Sequence, residues 1–188
     1  MHKAVLTLAR AMAVLGGLVL VSLIAVTCVS VAGRILNGWL HGDLLQGFAP
    51  GTADWLIGIG VGPLLGDFEL VEAGMAFAIF AFLPLCQITR SHASVDIFTS
   101  YMPAVLNRVI SVLVELVFAA VLILIAQRLY IGTLDKMAYN ETTFMLQFPI
   151  WWAYGASLVA AIVAALVAVY MPFARLAGAL PDPGEVEF

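Results

Sequence analysis

The sequence predicts an all-α integral membrane protein: a four-transmembrane-helix bundle with a short cytoplasmic interfacial helix and a long periplasmic loop. Hydrophobic residues make up 63% of the 188-residue chain and charged residues 11%, against roughly a quarter charged in ordinary soluble domains. Four apolar segments stand out, at about 11–32, 73–88, 105–124 and 150–170, each near the roughly 17–25 residues that a spanning helix needs. A bilayer requires every spanning backbone to satisfy its own hydrogen bonds, and four such runs are too few to close a barrel, so the spans are helices. With their flanks they become spans of about 11–33, 70–88, 105–130 and 150–172 in a single membrane domain over 1–188, with 35–67 as periplasmic loop and 174–188 as cytoplasmic tail.

The first span follows Lys3 and Arg10 and ends in Val31-Ala32-Gly33-Arg34. Its apolar run exceeds the roughly 7–15-residue core of a secretory signal and the chain goes on spanning, so an uncleaved helix is expected. The loop after it holds Trp39, Phe48 and Trp55, then an apolar, glycine- and proline-rich piece from Leu56 to Gly66. That piece is too short to span as a helix. Two readings stay open: an interfacial or re-entrant segment, or an apolar docking surface for another protein.

Asp67, Glu69 and Glu72 open the second span, and Arg90 follows it. Between Ser91 and Pro103, the residues Val95, Phe98 and Met102 fall at i, i+3 and i+7 and share one helical face, the pattern of a short helix lying in the interface. Pro103 ends it and lets the third span begin. The fourth span opens with Trp151, Trp152 and Tyr154, preceded by Tyr139 and Phe144, where interface-anchoring aromatics belong. It carries two small-residue rows, Ala153/Ser157/Ala161/Ala165 and Ala156/Ala160/Ala164/Ala168. Such rows let helix backbones approach closely in lipid; they fit packing inside the bundle and contact with a separate subunit equally well.

Basic residues flanking spans stay on the cytoplasmic side. Lys3, Arg10, Arg90, Arg108 and Arg175 lie on one side of the predicted spans, against Arg34, Arg128 and Lys136 on the other, which places both termini in the cytoplasm. No nucleic-acid partner is expected.

Catalysis is poorly supported. His2, His41 and His92 all fall outside the spans, so no pair of facing imidazoles can hold a haem, and no HExxH, nucleophile elbow or phosphate-binding glycine loop occurs. Cys28 and Cys86 lie inside spans and read as small packing residues. No cofactor is expected in this chain. Glu115 is the one ionisable residue deep in a span, and an intramembrane carboxylate is costly enough to be a functional hypothesis. Read sharply, it is an ion-coupling or proton-carrying site in a stand-alone four-helix secondary carrier. The reading preferred here is a hydrogen-bonded or salt-bridged residue at a helix interface, with Arg108 two turns earlier, because a lone carboxylate without paired broken helices makes a poor ion site.

The patterns Phe68-Glu69-Leu70-Val71-Glu72 and Arg90-x-His92-x-x-Val95-Asp96, with Arg34 closing the first span and Phe148-Pro149-Ile150-Trp151-Trp152 opening the last, resemble one family. It is the small membrane subunit of tripartite ATP-independent periplasmic (TRAP) transporters, the DctQ-like family. The resemblance runs from Leu8 to Phe173; the long 35–67 loop departs from the family's usual short hairpin. It implies a scaffold subunit of a secondary transporter for organic acid uptake in the bacterial inner membrane, partnered by a large permease subunit and a periplasmic substrate-binding protein. The substrate and sodium sites would belong to the large subunit. Arg34, Glu69, His92, Asp96, Glu115, Pro149, Trp151, Trp152, Ala156, Ala160 and Ala164 are then structural or partner-contact residues, with Arg34 and Glu69 placed to pair across the hairpin between the first two spans.

Overall fold

The computed structural model describes residues 2–40, 64–89 and 104–176. They form four helices: α1 (His2–Leu40), α2 (Asp67–Ile88), α3 (Ala104–Ala138) and α4 (Ile150–Leu176). Each is long and apolar enough to cross a membrane. No strand occurs among the described residues, only an isolated bridge between Thr142 and Pro149. The expected interfacial helix at 91–103 lies outside the described residues, as do 41–63 of the long loop and 177–188 of the tail.

The helices outrun the apolar segments that predict them. Residues 35–40, assigned to the periplasmic loop from sequence, continue α1, and α3 runs on to Ala138. Once a helix is nucleated each further residue adds a hydrogen bond at little cost, so helices persist beyond the hydrocarbon. At ~1.5 Å per residue α1 and α3 measure about 58 and 52 Å, whereas α2 measures about 33 Å, barely more than the ~30 Å hydrocarbon core. Pro84 in α2 and Pro172 in α4 interrupt neither helix, and Pro84 is fully buried.

The four helices do not close around a common centre. α1 packs on α2, α2 on α4 and α4 on α3, while α1 and α4 barely touch. The expected bundle is therefore a row in the order α1–α2–α4–α3. The order follows from chain direction. α1 and α2 run antiparallel, with Ser30 beside Asp67 and Gly16 beside Ala81. α2 and α4 run parallel, with Glu69 beside Met145 and Ala81 beside Ala160. Since α2 and α4 are parallel neighbours, α3 makes the return crossing between them in sequence, and it does so on the far side of α4.

Small residues make this row possible. On the α1 side, a Cβ at Gly16 would lie 2.9 Å from the Ala81 Cβ, closer than atoms tolerate, so glycine there sets the approach of α1 to α2. Met12, Ala81 and Ala160 form one core cluster, with Phe77, Phe80 and Val163 packed around it. Ala119, Leu122, Ala164, Ala165 and Ala168 form the other, between α3 and α4. α4 stands between α2 and α3, with Ala160 in the cluster toward α2 and Ala164, Ala165 and Ala168 in the cluster toward α3; Ala160, Ala161 and Ala164 are all fully buried. α1 and α3, at the ends, keep large apolar side chains such as Leu18, Val21, Val114 and Val117 exposed. These are surfaces for lipid or protein.

Candidate functional site

Two polar joints fasten the end of the row where α1 finishes and α2 and α4 begin, here the upper end. The first joins α1 to α2. Ser30 and Arg34 are four residues apart and share a face of α1. The Ser30 hydroxyl donates to Asp67 Oδ2 at 2.7 Å, and an Arg34 guanidinium nitrogen lies 3.8 Å from the same oxygen. The second Asp67 oxygen accepts the Phe68 amide at 2.9 Å, and its negative charge suits the amino end of α2. Ser30 and Asp67 are buried while Arg34 is largely exposed. The hydroxyl is therefore the stronger of the two links, because an exposed ion pair contributes little.

The second joint fastens α2 to the loop before α4. One Glu69 carboxylate oxygen accepts the Met145 amide at 2.6 Å and the other accepts the Leu146 amide at 2.9 Å. The Thr143 hydroxyl and the Phe144 amide also lie against it. The loop folds on itself as well: the Thr143 amide donates to the Phe148 carbonyl, and the Phe148 amide donates to Thr143 Oγ1. The Ile150 amide donates to the Glu141 carbonyl, and Lys136 pairs with Glu141. Tight reversal requires positive φ at Asn140 and Gln147. Gly66, at φ +84°, precedes α2 with Leu146 directly over it: a Cβ there would sit 2.5 Å from Leu146 Cγ.

The expected Arg34–Glu69 pair is not made. Residues two apart on a helix point about 200° away from each other, so Asp67 faces α1 and takes Arg34, and Glu69 faces the loop. Asp67 and Ser30 are the residues that sequence reasoning missed. The available signal was a serine one turn before Arg34 and a carboxylate at the very start of α2.

The other expected site residues are dispersed. Pro149 accepts the Trp152 amide through its carbonyl and opens α4. Trp151 and Trp152 meet edge to face at 6.0 Å between ring centres, and Trp152 is exposed. Ala160 and Ala164 pack inside the chain, whereas Ala156 is exposed. With Leu23, Gly74, Phe77, Phe148 and Trp152, Ala156 lines an open apolar groove of about 550 Å³ just below the upper joints. Glu115 is half-buried on α3 and is engaged in an interaction within the protein. His92 and Asp96 lie outside the described residues, as does the Arg108 side chain. Among the described residues, no three His, Cys, Asp or Glu side chains gather as metal ligands.

Residues 59–178 match the model of the tripartite ATP-independent periplasmic transporters, DctQ component. The chain belongs to the DctQ family. The match takes in α2, α3 and α4, together with Asp67, Glu69 and the Glu69-bound loop, and leaves α1, with Ser30 and Arg34, outside it. No curated protein and no solved structure matches the chain. As a DctQ component it is a small component of a TRAP transporter and a multi-pass membrane protein.

Proposed function

We propose that this DctQ chain is the small permease subunit of a TRAP transporter for organic acid uptake, and that it acts as a membrane scaffold for the large transport subunit. The single observation that carries the reading is the architecture of the row. Its central pair, α2 and α4, is packed through fully buried alanines and clamped at one end by Glu69, while Asp67 fastens α1 to the same end of α2. Its end helices turn apolar faces outward. A stiff plate of this kind resists tilting of a partner's static part while a mobile part carries substrate.

Sodium coupling and the substrate site then reside in the large subunit, and a periplasmic substrate-binding protein delivers the organic acid. Both termini lie in the cytoplasm and the upper joints face the periplasm, in the bacterial inner membrane. Glu115 is a structural residue on this reading, and the low count of ionisable groups in the spans supports it.

Co-purification tests the assignment. The tagged chain, extracted from its native membrane in mild detergent, should bring down a large multi-span permease in stoichiometric amount. Recovery of this chain alone, with transport intact on reconstitution, would overturn the reading in favour of a stand-alone carrier.

A further inference from the structure

The loop between α3 and α4 turns its apolar residues outward. Phe144 is 84% exposed, and Met145 and Leu146 are exposed beside it. Leu65 and Phe68, flanking the Gly66 on which Leu146 rests, are 76% and 74% exposed. A loop in water has no reason to spend its apolar side chains this way. Its backbone is equally unusual: the amides of Thr143, Met145, Leu146, Phe148 and Ile150 all find partners inside the protein. The charges around the tip are engaged too, Glu69 by those amides and Glu141 by Lys136. Internal satisfaction of backbone groups is what a segment needs where water is scarce.

The length of α2 fixes the depth of this tip. With 22 residues, α2 is about 33 Å long, longer than the ~30 Å hydrocarbon core and shorter than the roughly 40–45 Å bilayer including headgroups. Centred and upright, it therefore places its first turn at the boundary between hydrocarbon and headgroups. Glu69 sits in that first turn and holds the Met145 and Leu146 amides directly. The tip is thus pinned at that boundary, and the apolar groove lined by Leu70, Phe148 and Trp152 continues from it toward the hydrocarbon.

We propose that the loop tip at Phe144–Met145 is a membrane-interface insert, seated among lipid headgroups and upper acyl chains, with Glu69 as the residue that positions it. The partner is the lipid surface, and the site is independent of which subunit the chain braces. Glu69 substitutes for the water that the loop amides forgo, and α2 thereby sets the depth of α4's first turn.

Depth-dependent quenching tests this on the full chain in phosphatidylcholine–phosphatidylglycerol nanodiscs. Cys28 and Cys86 are replaced by alanine, and Phe144→Cys or Lys3→Cys carries an environment-sensitive fluorophore. Phe144 is exposed, so its substitution leaves the packing intact. The Phe144 probe should be quenched several-fold more strongly by a lipid spin-labelled near the headgroup than by aqueous iodide, and the Lys3 probe, exposed near the start of the 39-residue α1, the reverse. A Phe144 probe quenched chiefly by iodide overturns the insertion, and a probe shielded from both quenchers overturns it in favour of a protein cover. Glu69→Ala should make the Phe144 probe iodide-accessible; unchanged lipid quenching in that variant removes Glu69 from the proposal.

Discussion

Ser30 on α1 and Asp67 at the start of α2 are joined by a hydrogen bond of 2.7 Å. It ties α1, ten residues before its end at Leu40, to the first residue of the 22-residue α2, so α1 runs on past the point where α2 begins. The bond is buried, and Asp67 is charged, which places it among the stronger kinds of side-chain link.

Replacing Ser30 by alanine leaves a buried carboxylate with the Phe68 amide on one oxygen and only the exposed Arg34, 3.8 Å away, at the other. The expected result is a thermal midpoint in detergent several degrees below wild type. Arg34→Ala, which removes the weaker 3.8 Å contact, should lower it much less.

Gly66→Ala should destabilise the upper end on two counts. Left-handed backbone costs a non-glycine residue about 1–2 kcal/mol, and the new Cβ would collide with Leu146. Thermal unfolding of the purified variant, compared with Gly17→Ala, where nothing lies within 4 Å of the added carbon, separates this from a general glycine effect.

Glu69→Ala should leave α2 and α4 helical and loosen the loop. Hydrogen–deuterium exchange of a peptide spanning residues 142–149 should speed up on the order of tenfold or more as the Met145 and Leu146 amides lose their acceptor. Unchanged exchange would mean that the loop is held without the carboxylate.

The spans were legible because their apolar lengths are dictated by the bilayer, and Ala160 and Ala164 were visible as packing residues by spacing alone. Their neighbours were not. Alanine rows serve a closed bundle and a flat row equally, and only the parallel pairing of α2 with α4 decides between them. The Glu69 clamp escaped for another reason: its partners lie 76 and 77 positions away and are backbone amides, which no side-chain pattern advertises. Arg34 was rightly placed at the hairpin but assigned the wrong carboxylate, because Asp67 and Glu69 differ only in the direction they face.

Ala160→Leu should disrupt the chain, since its site is fully buried and overpacking costs about 1–3 kcal/mol. Ala156→Leu, facing the open groove, should leave the isolated chain folded. If it nonetheless lowers recovery of the large permease on co-purification, the groove belongs to the subunit contact.

The scaffold reading is tested most directly by transport. The large permease is reconstituted into liposomes with and without this chain, and uptake is driven by a sodium gradient in the presence of the binding protein. The account predicts substrate uptake only when both subunits are present, with Glu115→Gln in this chain leaving the rate unchanged once the complex has assembled. Uptake at the normal rate by the large subunit alone would contradict it.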